Sequence, residues 1–299
     1  MQSKPTRETV RVAAIQYEMR GLADREGFRS KVEQLVKAAA GYEADFVVLP
    51  ELYTMQLLSI GGATLSAPEA MARIDGHTEW YLGFMRELAL TCRVNIVGGT
   101  HVARGPGGAM RNTAHVFLRD GTVHARDKIH PTPSEVSVWG IEGGDAVDVI
   151  ETDCGPVGVL VCYDAEFPEL ARRLVDQGAR MLLVPFCTDD RRGFLRVRYC
   201  CHARAIENQV YVVMAGVVGN LPNVENMDVH YAESAILTPC DIPFARDGIA
   251  ADTPANVETI VVADLRLSDL DEARRAGSVR NLADRRLDLY RVTWTGRGA

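Results

Sequence analysis

The sequence predicts an α/β protein organised on a mixed sheet, and three features carry that prediction. Strand-length apolar runs alternate with helix-length periodic segments through the first hundred residues, the pattern of an α/β sheet. Turn signals at Arg104-Gly105-Pro106-Gly107-Gly108 and Arg119-Asp120-Gly121-Thr122 then divide the middle of the chain into short strands, which implies antiparallel hairpins beside the parallel part. Several apolar runs stop on a polar residue, so chemistry-bearing side chains gather where strands end, the usual place for a ligand on an open α/β sheet.

Taken in order, Val10 to Tyr17 alternates apolar and polar before turning apolar, as a strand entering a core does. Phe28, Val32, Leu35, Val36 and Ala39 follow at helical spacing, with Gly41 suited to cap that helix. A strand runs to Leu49, Trp80, Phe84 and Leu88 mark a second helix, and Val94 to Val97 form the next strand. Asn112 to Leu118 lies between the two turn signals, and strands near Val147 to Glu151 and Val157 to Val161 bracket a turn at Asp153-Cys154-Gly155. Leu170, Leu174 and Val175 face one side of a helix ended by Gly178, and Met181 to Val184 reads as a buried strand. Phe194 to Asn208 is a long Arg-rich helix leading into strand Val210 to Ala215. Residues 216 to 230, rich in Gly, Asn and Pro, are expected as a loop near the active face, and strands near Ala235 to Leu237 and Thr259 to Ala263 close the domain. The domain therefore takes residues 1–265. Residues 266–299 form a C-terminal arm, whose Arg-rich stretch Asp271 to Arg291 packs on the same domain or on a neighbouring subunit.

Composition excludes several classes. A formal net charge of -7 argues against a nucleic-acid surface. No apolar run approaches the roughly 20 residues of a membrane span, and the polar Met1 to Glu8 is unlike a secretory signal, so a cytoplasmic enzyme is expected. The 7 cysteines are odd in number and show no paired spacing, and neither Cys-x-x-Cys nor His-x-x-x-His occurs; a disulfide framework and a zinc site both fail to fit, and no cofactor is expected. A Gly-rich phosphate loop, a dinucleotide fingerprint and a Ser nucleophile elbow are also missing from the sequence, which leaves kinase, dehydrogenase and serine-hydrolase readings without support.

The chemistry centres on Cys162, in the run Val159-Leu160-Val161-Cys162-Tyr163-Asp164-Ala165-Glu166-Phe167-Pro168-Glu169. A β-rich segment ends at the thiol and a helix start follows, with Pro168 and Glu169 suited to its first turn. Backbone N–H groups and the positive end of a helix dipole at such a bend favour thiolate and can bind an oxyanion. The run Asp45-Phe46-Val47-Val48-Leu49-Pro50-Glu51 delivers a carboxylate in the same manner. Arg126-Asp127-Lys128-Ile129-His130-Pro131-Thr132-Pro133-Ser134-Glu135 supplies an amine, with a second carboxylate seven positions on. Read singly, each residue has a structural alternative: a core cysteine, a helix-start carboxylate at Glu51, a surface Lys128 paired with Asp127, and a capping Glu135. Cys187, at a strand end after Pro185, is a second-ranked nucleophile, and the adjacent Cys200 and Cys201 read as structural.

Together, Glu51, Lys128 and Cys162, in that order and in those contexts, resemble the Glu-Lys-Cys triad of the nitrilase superfamily of carbon-nitrogen hydrolases. The resemblance runs from about Val10 to Leu265 and includes Ala203-Arg204-Ala205-Ile206-Glu207-Asn208-Gln209-Val210-Tyr211-Val212. Thr132-Pro133-Ser134-Glu135, Pro185-Phe186-Cys187-Thr188-Asp189-Asp190-Arg191 and Gly219-Asn220-Leu221-Pro222 look like a branch some of whose members carry an added N-acetyltransferase domain; with the first strand starting near residue 10, no such domain is expected here. The resemblance implies a four-layer αββα sandwich of two mixed β-sheets, assembled as a homodimer or higher oligomer through the helices near Pro168 and Phe194. It also implies a small-molecule amide substrate, with Cys162 forming a thioester, Glu51 as general base and Lys128 stabilising the oxyanion with the Tyr163 N–H. Glu135 would orient Lys128 or Glu51.

For the substrate pocket, Tyr53, Trp139 and Phe186 are candidate walls. Asp189, Asp190, Arg191 and Arg192 either place an arginine over a substrate carboxylate or form a solvated ion-pair network. Nitrile and N-carbamoyl hydrolysis and ammonia supply use the same triad and stay open. So do a papain-like pairing of Cys162 with His130, His202 or His230, and a non-catalytic scaffold.

Overall fold

The computed structural model describes residues 8–296. Its first half runs β1 (Thr9–Met19), α1 (Arg25–Gly41), β2 (Phe46–Val48), α2 (Ala67–Asp75), α3 (Thr78–Cys92), β3 (Asn95–Arg104), β4 (Met110–Phe117), β5 (Val123–Asp127) and α4 (Pro133–Trp139). The second half runs β6 (Val157–Val159), α5 (Pro168–Asp176), β7 (Met181–Phe186), α6 (Arg191–Asn208), β8 (Tyr211–Gly219), β9 (Ala235–Leu237), β10 (Ile249–Asp252), β11 (Thr259–Arg266) and α7 (Leu267–Ala276).

One sheet places β1, β2 and β3 in parallel, continues antiparallel through β4 and β5, and adds β11 antiparallel on the other side of β1. The other sets β6, β7 and β8 in parallel and ends antiparallel in β9 and β10. The end of β1 joins the two, where Tyr17 to Met19 pair in parallel with Val217 to Gly219 of β8.

Side-chain alternation decides how these sheets stack. In β1, Val10, Val12 and Ala14 face one core while Ala13, Ile15, Tyr17 and Met19 face another; β7 splits likewise, Met181 and Leu183 against Leu182 and Val184. Val10, Val12, Phe46 and Val97 of the first sheet thus meet Leu183, Val213 and Ile236 of the second in a central core. The outer faces are covered by α1 and α3 on one side and by α5 and α6 on the other. The result is four layers, helix, sheet, sheet and helix. Strands apolar on both faces need covering on both.

Local chemistry explains where elements differ from expectation. Helix α1 passes through Gly41 and ends at Tyr42, with Glu43 taking the left-handed backbone at φ 58°. Helix α2 is not among the expected elements, although Ala70, Met71 and Ile74 fall at helical spacing and are buried. It starts at Ser66, whose N–H and hydroxyl both donate to Glu69. The segment Val147 to Glu151 forms only a single bridge, Ile150 with Val157. Strand β8 extends to Gly219 into the stretch expected as a loop, because Val217 and Val218 are buried and pair with β1. Helix α6 starts three residues early since Asp190 accepts from the Gly193 N–H at 2.7 Å. After β11, α7 buries Leu267, Leu270 and Ala273 against the same domain, and the described residues beyond Ala276 form no helix. No helix of the described residues is long and apolar enough to cross a membrane.

Candidate active site

Four strand ends converge on one place. Glu51 follows β2, and its approach to β3 depends on Gly99, at φ 59°, where a Cβ would overlap the Pro50 carbonyl oxygen. Lys128 follows β5, Cys162 follows β6, and Cys187 follows β7. Two backbones here are left-handed at non-glycine residues, Leu52 at φ 57° and Cys162 itself at φ 49°. Such conformations are costly and persist where the surroundings enforce them.

The enforcement at Cys162 comes from both sides. Asp164, in the same short 3-10 helix Cys162–Glu166, accepts from the N–H groups of Ile129 at 3.1 Å and His130 at 2.8 Å, tying the Cys162 segment to the residues after Lys128. From behind, buried Arg204 of α6 donates to the carbonyls of Ala165 and Glu166 at 3.0 and 3.1 Å. The thiol of Cys162 points to the Cys187 carbonyl at 3.5 Å.

Glu51 and Lys128 are each 1% exposed and Glu135 3%. Lys128 Nζ donates to Glu51 Oε1 at 2.7 Å and to Glu135 Oε2 at 2.6 Å. Glu51 Oε2 accepts from the Cys187 N–H at 3.0 Å. Glu135 also caps α4, accepting from the Thr132 N–H at 2.7 Å, so its capping and its charge roles coexist. Asn112 of β4, 1% exposed, donates from Nδ2 to Glu51 Oε1 at 2.9 Å and to Glu135 Oε1 at 2.8 Å.

The electrostatics follow from burial with one cation between two carboxylates. Burial pushes the Glu51 carboxyl up to about 7 against the pull of Lys128. For Lys128 burial works downward, but Glu51 and Glu135 outweigh it and hold the ammonium well above its usual range. Burial also acts against ionised Glu135, yet Lys128 and the Thr132 and Asn112 donors leave it below the usual range. The Cys162 thiol is pushed up first by burial and then by Glu51, so the protonated form is favoured.

A cavity of about 700 Å³ opens over this group, lined among others by Glu51, Lys128, Glu135, Cys162, Tyr163 and Asp189. The other expected pocket residues lie elsewhere. Tyr53 is fully buried against Tyr17 and Phe28, and Trp139 belongs to the same helix-side core; Phe186 is buried against Phe194 in the opposite core. All three point away because strand and helix alternation sends them into the layers. Arg191, the first residue of α6, is not among the described lining residues, whereas Arg192 and Arg196 are. Each of these carries a carboxylate partner, Asp190 at 3.0 Å and Glu166 at 3.6 Å.

No histidine is among the described lining residues: His130 bonds Asp164, His202 accepts from Arg198, and His230 bonds the Gly219 carbonyl. The described residues hold no group of three His, Cys, Asp or Glu arranged for a metal ion. Sequence reasoning passed over Asn112, Asp164 and the Cys187 N–H. The first two stand inside runs already read as strand and bend, and a backbone donor has no residue signature.

Comparisons with known proteins show the family and the fold. The family model described as carbon-nitrogen hydrolase matches residues 11–275. The probable hydrolase YhcX of Bacillus subtilis (strain 168) is 47% identical over 285 residues, 95% of this chain and 55% of that protein, so the chain spans about half of that relative's length. The omega-amidase NIT2 of Xenopus tropicalis is 30% identical over 87% of this chain and 89% of its own. Among solved structures, Nit3 of Saccharomyces cerevisiae, described as a member of branch 10 of the nitrilase superfamily, has a TM-score of 0.74 at 24% identity, covering 92% of this chain and 97% of that chain; that likeness is one of fold.

Proposed function

The chain belongs to the carbon-nitrogen hydrolase family, and on that footing we propose that it hydrolyses the carbon-nitrogen bond of a small, non-peptide amide through a thioester on Cys162. The observation that carries the reading is the buried Lys128 held between Glu51 and Glu135 beside a thiol that lines an open cavity. In this mechanism Cys162 Sγ attacks the amide carbon while its proton passes to Glu51. The negative charge gathering on the carbonyl oxygen is met by the Lys128 ammonium and the Tyr163 N–H. Glu51 then gives its proton to the departing nitrogen, and ammonia leaves. Water, deprotonated by Glu51, attacks the thioester carbon, and the thiol is restored as the acid departs.

A base of this kind must exist as carboxylate to start and as acid to finish, and a carboxyl poised near 7 serves both steps. Glu135, held ionised, keeps Lys128 charged without competing for the proton. An amide is favoured over a nitrile because a relative matched along nearly its full length is named an omega-amidase.

The test is ammonia release from a panel of small amides, ω-amido acids, carbamoyl amino acids and nitriles. Release from an amide that disappears in Cys162→Ala supports the reading. Silence across the panel, with a Cys162 that no thiol alkylator modifies, sinks it.

A further inference from the structure

Among the described residues, Asn112 is the uncharged group that hydrogen-bonds both carboxylates. Its Nδ2 donates to Oε1 of Glu51 and to Oε1 of Glu135, while Lys128 Nζ bridges Glu51 Oε1 and Glu135 Oε2. These contacts close a ring: lysine, carboxylate, amide, carboxylate. Two donors occupy Glu51 Oε1, whereas the hydrogen bond to Oε2 among the described residues comes from the Cys187 N–H, and the Cys187 carbonyl takes the Cys162 thiol. A carboxylate has about four lone-pair positions, so the free one is on Oε2.

The other end of Asn112 strengthens the case. Its Oδ1 is buried with no hydrogen-bond partner among the described residues. Turning the amide over would give Oδ1 those surroundings only by aiming it at two carboxylates, so the orientation is fixed by the acids. A residue present only to fill a polar strand position would satisfy both its ends. This one serves the acids and leaves its oxygen bare.

We propose that Asn112 is a positioning residue: its amide holds the Oε1 edges of Glu51 and Glu135 and thereby assigns the proton-accepting role to Oε2 of Glu51, the edge bonded by the Cys187 N–H. The proposal rests on reading Glu51 as the base. The ionisable groups facing Glu51 are Lys128 after β5, Glu135 of α4, Cys162 of the 3-10 helix and Cys187 after β7. Asn112 acts against that fixed background, since a donor to the charged form of a carboxyl favours that form.

Iodoacetamide provides a probe that needs no natural substrate. Sγ of Cys162 bonds to the methylene carbon, iodide leaves, and the thiol proton passes to Glu51. The alkylation rate at Cys162, read by peptide mass spectrometry from pH 5 to 9, is expected to rise along a limb set by Glu51 ionisation. Asn112→Ala moves that limb up by about one pH unit, slowing alkylation about ten-fold at pH 6. The isosteric Asn112→Asp moves it further by adding a third carboxylate. Amide turnover follows with a fall in kcat and little change in KM. A limb unmoved in both variants overturns the proposal, as does a loss of thermal stability without a moved limb. If the wild type turns over no amide yet the limb shifts, the amidase reading fails and the role of Asn112 stands.

Discussion

At Glu51, burial and a neighbouring ammonium pull in opposite directions, and burial wins, bringing the carboxyl up to about 7. The sign of its effect on stability follows: a carboxyl whose folded value lies above its unfolded value stabilises the protein while protonated, and that contribution is lost as pH rises from about 4.5 through 7. In the proposed mechanism activity has the opposite slope, because acylation there needs the carboxylate. Glu51→Gln is therefore expected to lower turnover by roughly 10²–10⁴-fold. The same change should flatten the dependence of melting temperature on pH between about 4.5 and 7, since the titrating carboxyl is gone. Melting curves and ammonia release measured together check both. A variant whose melting temperature keeps the wild-type dependence on pH would show that another group titrates there. The residues legible in the sequence were those delivered by strand ends. Asn112 escaped notice because its partners lie far away in the chain, at Glu51 and Glu135, and nothing in Arg111-Asn112-Thr113 marks the meeting.

Among the elements, the short 3-10 helix that carries Cys162 has little holding it by itself and depends on its neighbours. Asp164 anchors it to the turn after Lys128 and Arg204 to α6. Asp164→Asn leaves one acceptor where two N–H groups call for two. It is expected to cost about 1.5–3 kcal/mol of stability and to reduce turnover at least ten-fold by letting Cys162 and Lys128 drift apart. Chemical denaturation and kcat on the best amide measure the two effects, and full activity in a destabilised variant would show that the anchor serves folding alone. Most strands and helices could be read from apolar period, and their errors have local causes. Capping at Asp190 starts α6 where hydrophobicity is silent, and β8 runs on because its end pairs with β1. The aromatic residues offered as pocket walls failed for a related reason. Tyr53, Trp139 and Phe186 flank the segments of Glu51, Glu135 and Cys187 in sequence, but the geometry of their elements turns them into the layers.

For the whole molecule, the four layers leave the cavity entirely to residues between Glu51 and Asn226 among those described. The C-terminal segment lies on the α5 and α6 side. Gln209 donates to the Val279 carbonyl, Arg285 pairs with Asp176 at 2.8 Å, and Trp294 sits under Arg173. Ending the chain after Ala276 should thus lower the melting temperature while leaving turnover per folded enzyme within about two-fold, since most surface contacts are energetically modest. Calorimetry with active-site titration by iodoacetamide tells these apart, and a truncated enzyme that is folded yet inactive would place part of the site in the arm. The stacking of two sheets was not readable from periodicity. Strands apolar on both faces tell that they are covered, not by what, and only the family resemblance named four layers.

The join at the end of β1 has a consequence for the protein's manufacture. Tyr17 must wait for Val217, and Thr9 for Arg266. At about 5–20 residues per second, a ribosome needs roughly 10–40 s to deliver the partner of Tyr17. For that time β1 is an unfinished edge, with β2 beside it and backbone groups still open to any passing strand. The architecture that brings four strand ends to one site also delays its closure until nearly the whole domain has emerged, so a stalled chain is inactive and, in its exposed edge, a nucleus for aggregation.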